Sequence, residues 1–273
     1  MKFLHNCQEK QKIENKMKLN SNIKTAIRVA KIELNSMFYS PVAWLVLVIF
    51  GFQIGMSFAQ IYGEQLRYQD MGYDLWSVTS GVYTGMRGIL PPIQRYIYLY
   101  IPLITMGLMS REYQSGSIKL LYSSPVKNTS IIIGKFLSMM VYGGALIAVL
   151  GVFVIFSAIT IVNFDYPLVL SGMLGLYLLI LAYSAIGLFM SSITKYQVVA
   201  AIGTLAVLAV LNFIGDVGKD YDLVRHITYW LSITGRAYPF IDGLIASDNI
   251  FYFLIVIGFF LALSILKLNT EKT

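Results

Sequence analysis

The sequence predicts an all-α polytopic membrane protein: six transmembrane helices preceded by an amphipathic interfacial helix, with an outer re-entrant or interfacial helical pair before the sixth span. Three observations predict it. The chain runs 29 residues without a charge between Lys135 and Asp165, another 29 between Asp165 and Lys195, and 20 between Lys195 and Asp216. A bilayer crossing needs about 20 apolar residues, and no water-soluble core needs such runs. Hydrophobic residues make up 57% of the 273 and charged residues 13%, against about 25% charged in soluble domains. The runs are continuously apolar, without the alternation of lipid-facing strands, so helices are expected and a barrel is not.

Residues 1–20 are basic, carry little apolar material and read as a flexible tail; Met17 is a second candidate start. No cleavable signal peptide is expected, since the first long apolar run begins near Pro41. In residues 21–39, Ile23, Ala26, Ile27, Ala30, Leu34, Met37 and Phe38 recur at helical spacing. Lys24, Arg28 and Lys31 take the other face, and Ser21 or Asn22 is placed to cap the start. A basic amphipathic helix leading into a span is expected to lie on the membrane surface, with Ile23, Ile27, Leu34 and Phe38 facing lipid. Packing on a soluble partner is the competing reading.

Residues 40–273 hold the spans. The first is expected over Pro41–Ile61, with Pro41 in the first turn. The second, Ile93–Ser110, is the least regular, because Pro102 kinks it and Arg95 must snorkel. The third runs over Phe136–Val162 and the fourth over Pro167–Met190, about 36 Å at helical rise. The fifth covers Gln197–Ile214 and the sixth Ile250–Leu266. Gly63–Pro92 reads as a structured loop or short helices. Residues 223–246 contain Trp230, Tyr238 and Phe240, broken by Gly235 and Pro239, and read as the re-entrant or interfacial pair, with a seventh span as the competitor. Small residues at fourth places (Gly51, Gly55 and Ala59; Gly144 and Ala148; Ser171 and Gly175) permit close helix approach.

Lys and Arg counts set the orientation. With both termini cytoplasmic, the inner segments hold 15 and the outer segments 6, which the positive-inside rule selects. The net charge of +7 has 8 of its 21 cations before residue 32. Such a flank reads as an anchor at anionic lipid, and no nucleic-acid partner is expected. Cys7 is the lone cysteine, which excludes an intrachain disulfide. There is no G-x-x-x-x-G-K-[ST] loop, since Phe136 follows Gly134-Lys135. His5 and His226 cannot build a triad or metal site together, and no cofactor is expected. No ionisable group falls in the middle of a span. The strongest polar groups there are Gln53, Gln60, Asn163 and Asn212, which read first as interhelical hydrogen-bonding residues. Protein that moves cargo without such a group takes its drive from elsewhere.

The most specific segment follows the second span. A polar patch, Arg111–Gly116, leaves the membrane. Ile118, Leu120, Leu121 and Tyr122 then offer an apolar surface, Pro125 stops it, and Asn128–Ser130 form a cap before the third span. The residues alone leave two equal readings, a lever that docks on a soluble partner and a plain loop with lipid-facing leucines.

This segment resembles the type-2 ABC exporter permeases. Glu112, Gly116, Leu120, Leu121, Pro125, Gly134 and Lys135 match that family's pattern, with Ser117 in place of the usual Thr. Phe240, Gly243, Asp248 and Tyr252-Phe253 are similar to its approach to the sixth span. The resemblance covers residues 21–268 and is similar to the small permeases associated with gliding-motility and nutrient-linked export systems. It implies a permease of the plasma membrane that is not itself an enzyme, pairs with a second, same or related permease subunit, and is driven by a separate ABC ATPase. Arg111, Glu112, Tyr113, Gly116, Ser117, Leu120, Leu121 and Pro125 would form the ATPase-coupling interface. A non-transporting ABC membrane subunit needs the same coupling element. An ion-coupled carrier and a membrane-embedded enzyme are the other readings, the latter requiring chemistry at Asp216, Asp220, Asp222 and His226.

Overall fold

A computed structural model of the chain describes residues 22–71, 78–85, 88–123, 126–161, 163–214 and 232–272. Among these there is no strand. Helix α1 spans residues 22–39. A tight bend follows, held by Ser40 N–H donating to the Met37 carbonyl at 2.9 Å and by the Trp44 indole donating to the Phe38 carbonyl at 2.8 Å. Pro41 then opens α2, Pro41–Asp70; a missing N–H costs nothing in a first turn. The short α3, Val78–Tyr83, packs against α2. Then come α4, Leu90–Thr105, α5, Gly107–Ser115, and α6, Ile118–Ser123.

Helix α7 runs over Asn128–Thr160. At 33 residues it is about 50 Å long, well beyond the roughly 30 Å of hydrocarbon, so its first turns have room to stand outside the membrane. It starts eight residues before the expected Phe136, and Asn128 does not cap it. The Asn128 amide instead donates to Asn269 Oδ1 at 2.8 Å and clasps the last helix. Helix α8, Tyr166–Ile193, is capped by Asp165, whose carboxylate accepts from Leu168 N–H at 3.3 Å, with Pro167 in its first turn. Then follow α9, Gln197–Phe213, α10, Ile233–Ile241, and α11, Ser247–Lys272.

Among the described residues, four helices are long and apolar enough to cross a membrane: Pro41–Gln65, Asn128–Thr160, Tyr166–Ile193 and Ser247–Thr270. Gln197–Phe213 is apolar and shorter. The expected second span is divided between α4 and α5. Of the doubtful segment 223–246, residues 223–231 lie outside the described residues. Its other part, α10, is nine residues, about 14 Å, too short to cross. Ile233, Ala237, Phe240 and Ile241 of α10 are buried. The tail 1–20, the capping position Ser21 and the acidic residues 216–222 with His226 also lie outside the described residues.

Helix α8 is the axis of the bundle. It packs against α3, α4, α5, α7, α9, α10 and α11. In its apolar window 67% of residues are buried, against 22–28% in the other three long helices. Those three therefore turn most of their surface outward, where Phe52, Ile155 and Ile255 stand exposed. Small residues set the spacing. Gly51 and Gly55 face Val149 and Phe153 of α7, and Gly175 faces Phe240. A Cβ at Gly144 would meet nothing within 4 Å.

Candidate functional site

The site begins with a defect in a helix. Pro102 removes one backbone donor from α4, and four residues later, at Met106, the regular helical hydrogen bonding is interrupted, the backbone staying in the right-handed helical region, before it resumes as α5. A break leaves backbone groups that lipid cannot satisfy. Ser191 of α8 satisfies them. Its hydroxyl donates to the Met106 carbonyl at 2.9 Å and accepts from the N–H groups of Met109 and Ser110 at 2.9 and 3.1 Å. One donor and two lone pairs are all that a hydroxyl has. One turn earlier in α8, Gly187 stands so close to Thr105 that any Cβ would collide with it. The break is thus docked on the most buried helix.

Beyond the break, α5 carries Arg111 and Glu112 toward α1 and α7. Lys135 of α7 is 1% exposed and lies 2.8 Å from Glu112 Oε1 and 2.8 Å from Glu33 Oε2 of α1. The two carboxylates are 23% and 15% exposed. One ammonium therefore joins three helices from distant parts of the chain. Gly134 makes this possible: a Cβ there would stand 2.7 Å from the Ala26 carbonyl and from Val29. Only glycine lets α1 lie against α7 closely enough for Glu33 to reach. Arg111 ties α5 to α1 a second time, donating to Ser36 Oγ at 2.9 Å. Burial pushes the Glu112 carboxyl above the ordinary carboxylate range, while Lys135 pulls it back down. A buried charge without its partner is expensive, so the triad favours one arrangement of the three helices over others.

The expected coupling residues spread over α5 and α6. Arg111 is exposed and Glu112 half-buried. Tyr113 packs against the core. Gly116 ends α5 at φ 73°, in the left-handed region where glycine carries no penalty. Ser117 Oγ lies 3.4 Å from the Glu112 carbonyl and 2.8 Å from Ser115 Oγ. In α6, Ile118 is buried and Leu120 is 75% exposed. Leu121 falls within α6, and Pro125 lies outside the described residues. On α1 the expected apolar stripe divides. Ala26 and Met37 are buried against the bundle, Leu34 and Phe38 are half-buried, and Ile23 and Ile27 are 49% and 56% exposed. Phe38 meets Trp44 edge-on and Tyr142 at a tilt, with ring centres 5.9 and 6.0 Å away.

Sequence reasoning missed Glu33, Ser36 and Ser191. Glu33 had a signal: it is the one acid on the basic helix α1, seven residues after the buried Ala26. Ser191 had none beyond a hydroxyl in an apolar run.

The far end of the bundle holds a second polar cluster. Gln94 of α4 donates to the Thr234 carbonyl at 2.7 Å, and the Thr234 hydroxyl donates to Asn212 Oδ1. Arg236 is buried, with its guanidinium 3.2 Å from Asn249 Oδ1 and 5.6 Å from the Tyr252 ring centre. Gln53 accepts from the Tyr100 hydroxyl. Asn212 and Gln53 are thus interhelical hydrogen-bonding residues, as their positions led one to expect. Asn163 serves a turn, at φ 61°. In the weaker motif, Gly243 takes φ 84°, and the rings of Phe240 and Phe253 lie 6.4 Å apart. These contacts pin α10 to α11.

Among the described residues no three His, Cys, Asp or Glu stand together as metal ligands. The two clusters hold helices; neither pairs a nucleophile with a base. No curated protein matches the chain. The family described as ABC-2 family transporter protein matches residues 27–219, a range that takes in α2–α9, the helix break, Glu33, Glu112 and Lys135. By that match and by its long apolar helices, the chain is a multi-pass membrane protein of the ABC-2 transporter family.

Proposed function

We propose that the chain is the transmembrane permease subunit of an ATP-binding-cassette exporter, without catalytic activity of its own. It crosses the plasma membrane six times, α4 with the first turn of α5, as far as Ser110, forming the second crossing and α9 the fifth, with both termini cytoplasmic. It encloses the translocation pathway together with a second permease subunit, identical or related. A separate ABC ATPase drives it by gripping Arg111–Tyr122, while α1 lies along the cytoplasmic surface.

The observation that carries this reading is the Glu33–Lys135–Glu112 triad. A pull on α6 acts directly on α5, and α5 cannot shift far without drawing α7 or α1 with it or leaving a charge buried and unpaired. The far side of α6 offers the handle: Leu120 is 75% exposed. Motion at the handle is thereby converted to rigid-body motion of a long helix, one of the standard forms of switching between packed states.

The test uses Leu120→Asp and Glu112→Lys in the full chain, with two readouts: the ATPase that co-purifies in mild detergent, and ATP-dependent export in proteoliposomes. Burying one leucine is worth about 1.5–3 kcal/mol, so Leu120→Asp is expected to weaken ATPase recovery tenfold or more while membrane insertion is unchanged. Glu112→Lys is expected to abolish export. Undiminished ATPase recovery and export in both variants would refute the coupling assignment.

A further inference from the structure

An open groove of about 520 Å³ lies between α1, α7 and α8. Ile27 and Ala30 of α1, Leu137, Val141 and Gly144 of α7, and Tyr177 of α8 form its walls. Its volume falls within the usual range for small-ligand sites, about 300–1,000 Å³. Its lining is hydrocarbon. The one polar side chain among these, Tyr177, spends its hydroxyl on the Met140 carbonyl at 3.2 Å. Ile27 and Val141 remain 56% and 54% exposed at the mouth. Such a slot, in a protein that sits in a bilayer, is matched by an acyl chain.

The rim says which lipid. At about 100° per residue, Lys24 and Lys31 stand within roughly 60° of Ile27 around the axis of α1, with Arg28 beyond them. All three are exposed. The one carboxylate among residues 22–39, Glu33, stands about 120° from Ile27 around the axis, on the side of α7, and is held by Lys135. Lys24 and Lys31 therefore flank the α1 wall of the apolar slot, with Arg28 next around the helix, and the one acid of α1 has its charge already matched by Lys135. The geometry points to a bound phospholipid: one acyl chain lies in the groove, and an anionic head group lies against Lys24, Arg28 and Lys31. This site stands independently of which partner grips α6. It gives α1 a lipid that acts as a wedge, filling the space that the close approach at Gly134 leaves open about one to three turns further along α7.

The experiment takes the full chain in phosphatidylcholine nanodiscs and adds a trace of phosphatidylglycerol carrying a photoactivatable diazirine in its acyl chain. The matched phosphatidylcholine probe is run in parallel, and labelled residues are mapped by peptide mass spectrometry. The expected label falls on residues 27–30 and 137–144, about tenfold more from the anionic probe. Each basic residue near an anionic head group favours it about fivefold, before screening. Gly144→Phe fills the groove, since Gly144 lines it and a Cβ there meets no atom within 4 Å, and is expected to lower that labelling tenfold or more. Lys24→Gln with Arg28→Gln and Lys31→Gln is expected to bring the anionic probe down to the level of the neutral one, with acyl labelling retained. Equal labelling by the two probes in the unaltered chain would overturn the proposal, as would full labelling of the Gly144→Phe variant. Disulfide trapping between copies through Ile27→Cys and Val141→Cys would assign the groove to a second copy of the chain, and would overturn it too.

Discussion

Replacing Lys135 with methionine keeps the length and flexibility of the side chain and removes its charge. Glu33 and Glu112 then face each other across a buried space with no cation between them. Breaking a buried pair costs about 3–5 kcal/mol. Here the carboxylates are 15% and 23% exposed, so water screens part of that, and about 2–3 kcal/mol is the expected loss in holding α5 to α7. At 1.4 kcal/mol per factor of ten, this is a rise of about 30- to 150-fold in the local opening equilibrium. Amide hydrogen exchange, followed by mass spectrometry on peptides covering residues 107–123, reads this directly. The sign of the pH dependence follows from Glu112, whose carboxyl is already pushed up by burial. Loss of Lys135 pushes it further, so the carboxyl takes up a proton as pH falls and the repulsion fades. Corrected for intrinsic exchange rates, the defect is therefore largest at high pH and shrinks toward acid. Glu33→Gln with Glu112→Gln in the Lys135→Met background is expected to restore most of the protection. Exchange within about threefold of the unaltered chain in Lys135→Met, or no recovery in the triple variant, would refute the reasoning.

Two further outcomes follow from the same region. Ser191→Ala strands the Met109 and Ser110 amides at the helix break; at about 1–3 kcal/mol per orphaned group, it is expected to lower stability by about 2–4 kcal/mol in a denaturant titration of the purified protein, with Ser191→Thr closer to normal. Gly134→Val is expected to push α1 away from α7 by a few ångströms, because its Cβ would fall 2.7 Å from the Ala26 carbonyl; spin labels on α1 and α7 measure the separation, and an unchanged distance would count against the account of that glycine.

The parts of the fold that sequence disclosed are those set by solvent. Uncharged runs of 29 residues admit few arrangements once lipid is the surroundings, and α7 and α8 lie where the runs predict. The lead-in helix and the irregularity after Pro102 were legible for similarly local reasons: a 3.6-residue rhythm, and an imino acid that cannot donate. What stayed hidden was pairing. Glu33, Glu112 and Lys135 are separated by 79 and 23 positions, and no rhythm links them. In the sequence Lys135 stands out only as the end of an uncharged run and as part of a motif, and nothing singles out Glu33. Both became informative once Gly134 brought two helices into contact. Ser191 was hidden for a different reason. A serine in an apolar helix commonly bonds to its own backbone, and nothing in its neighbours announces that this one serves another helix. Arg236 falls within the interrupted segment 223–246, and its burial follows from α10 packing onto α8.

The central placement of α8 has a consequence for what substitutions the protein can absorb. Its neighbours each have an outward rim where one bulky aliphatic residue can replace another with little effect, since fluid hydrocarbon adjusts to the new shape. No such rim exists over most of α8, where Tyr183, Ala185 and Ile186 meet protein and are each fully enclosed. Size tolerance in a saturation scan should therefore be one-sided along the peripheral rods and missing around nearly the whole girth of the middle one.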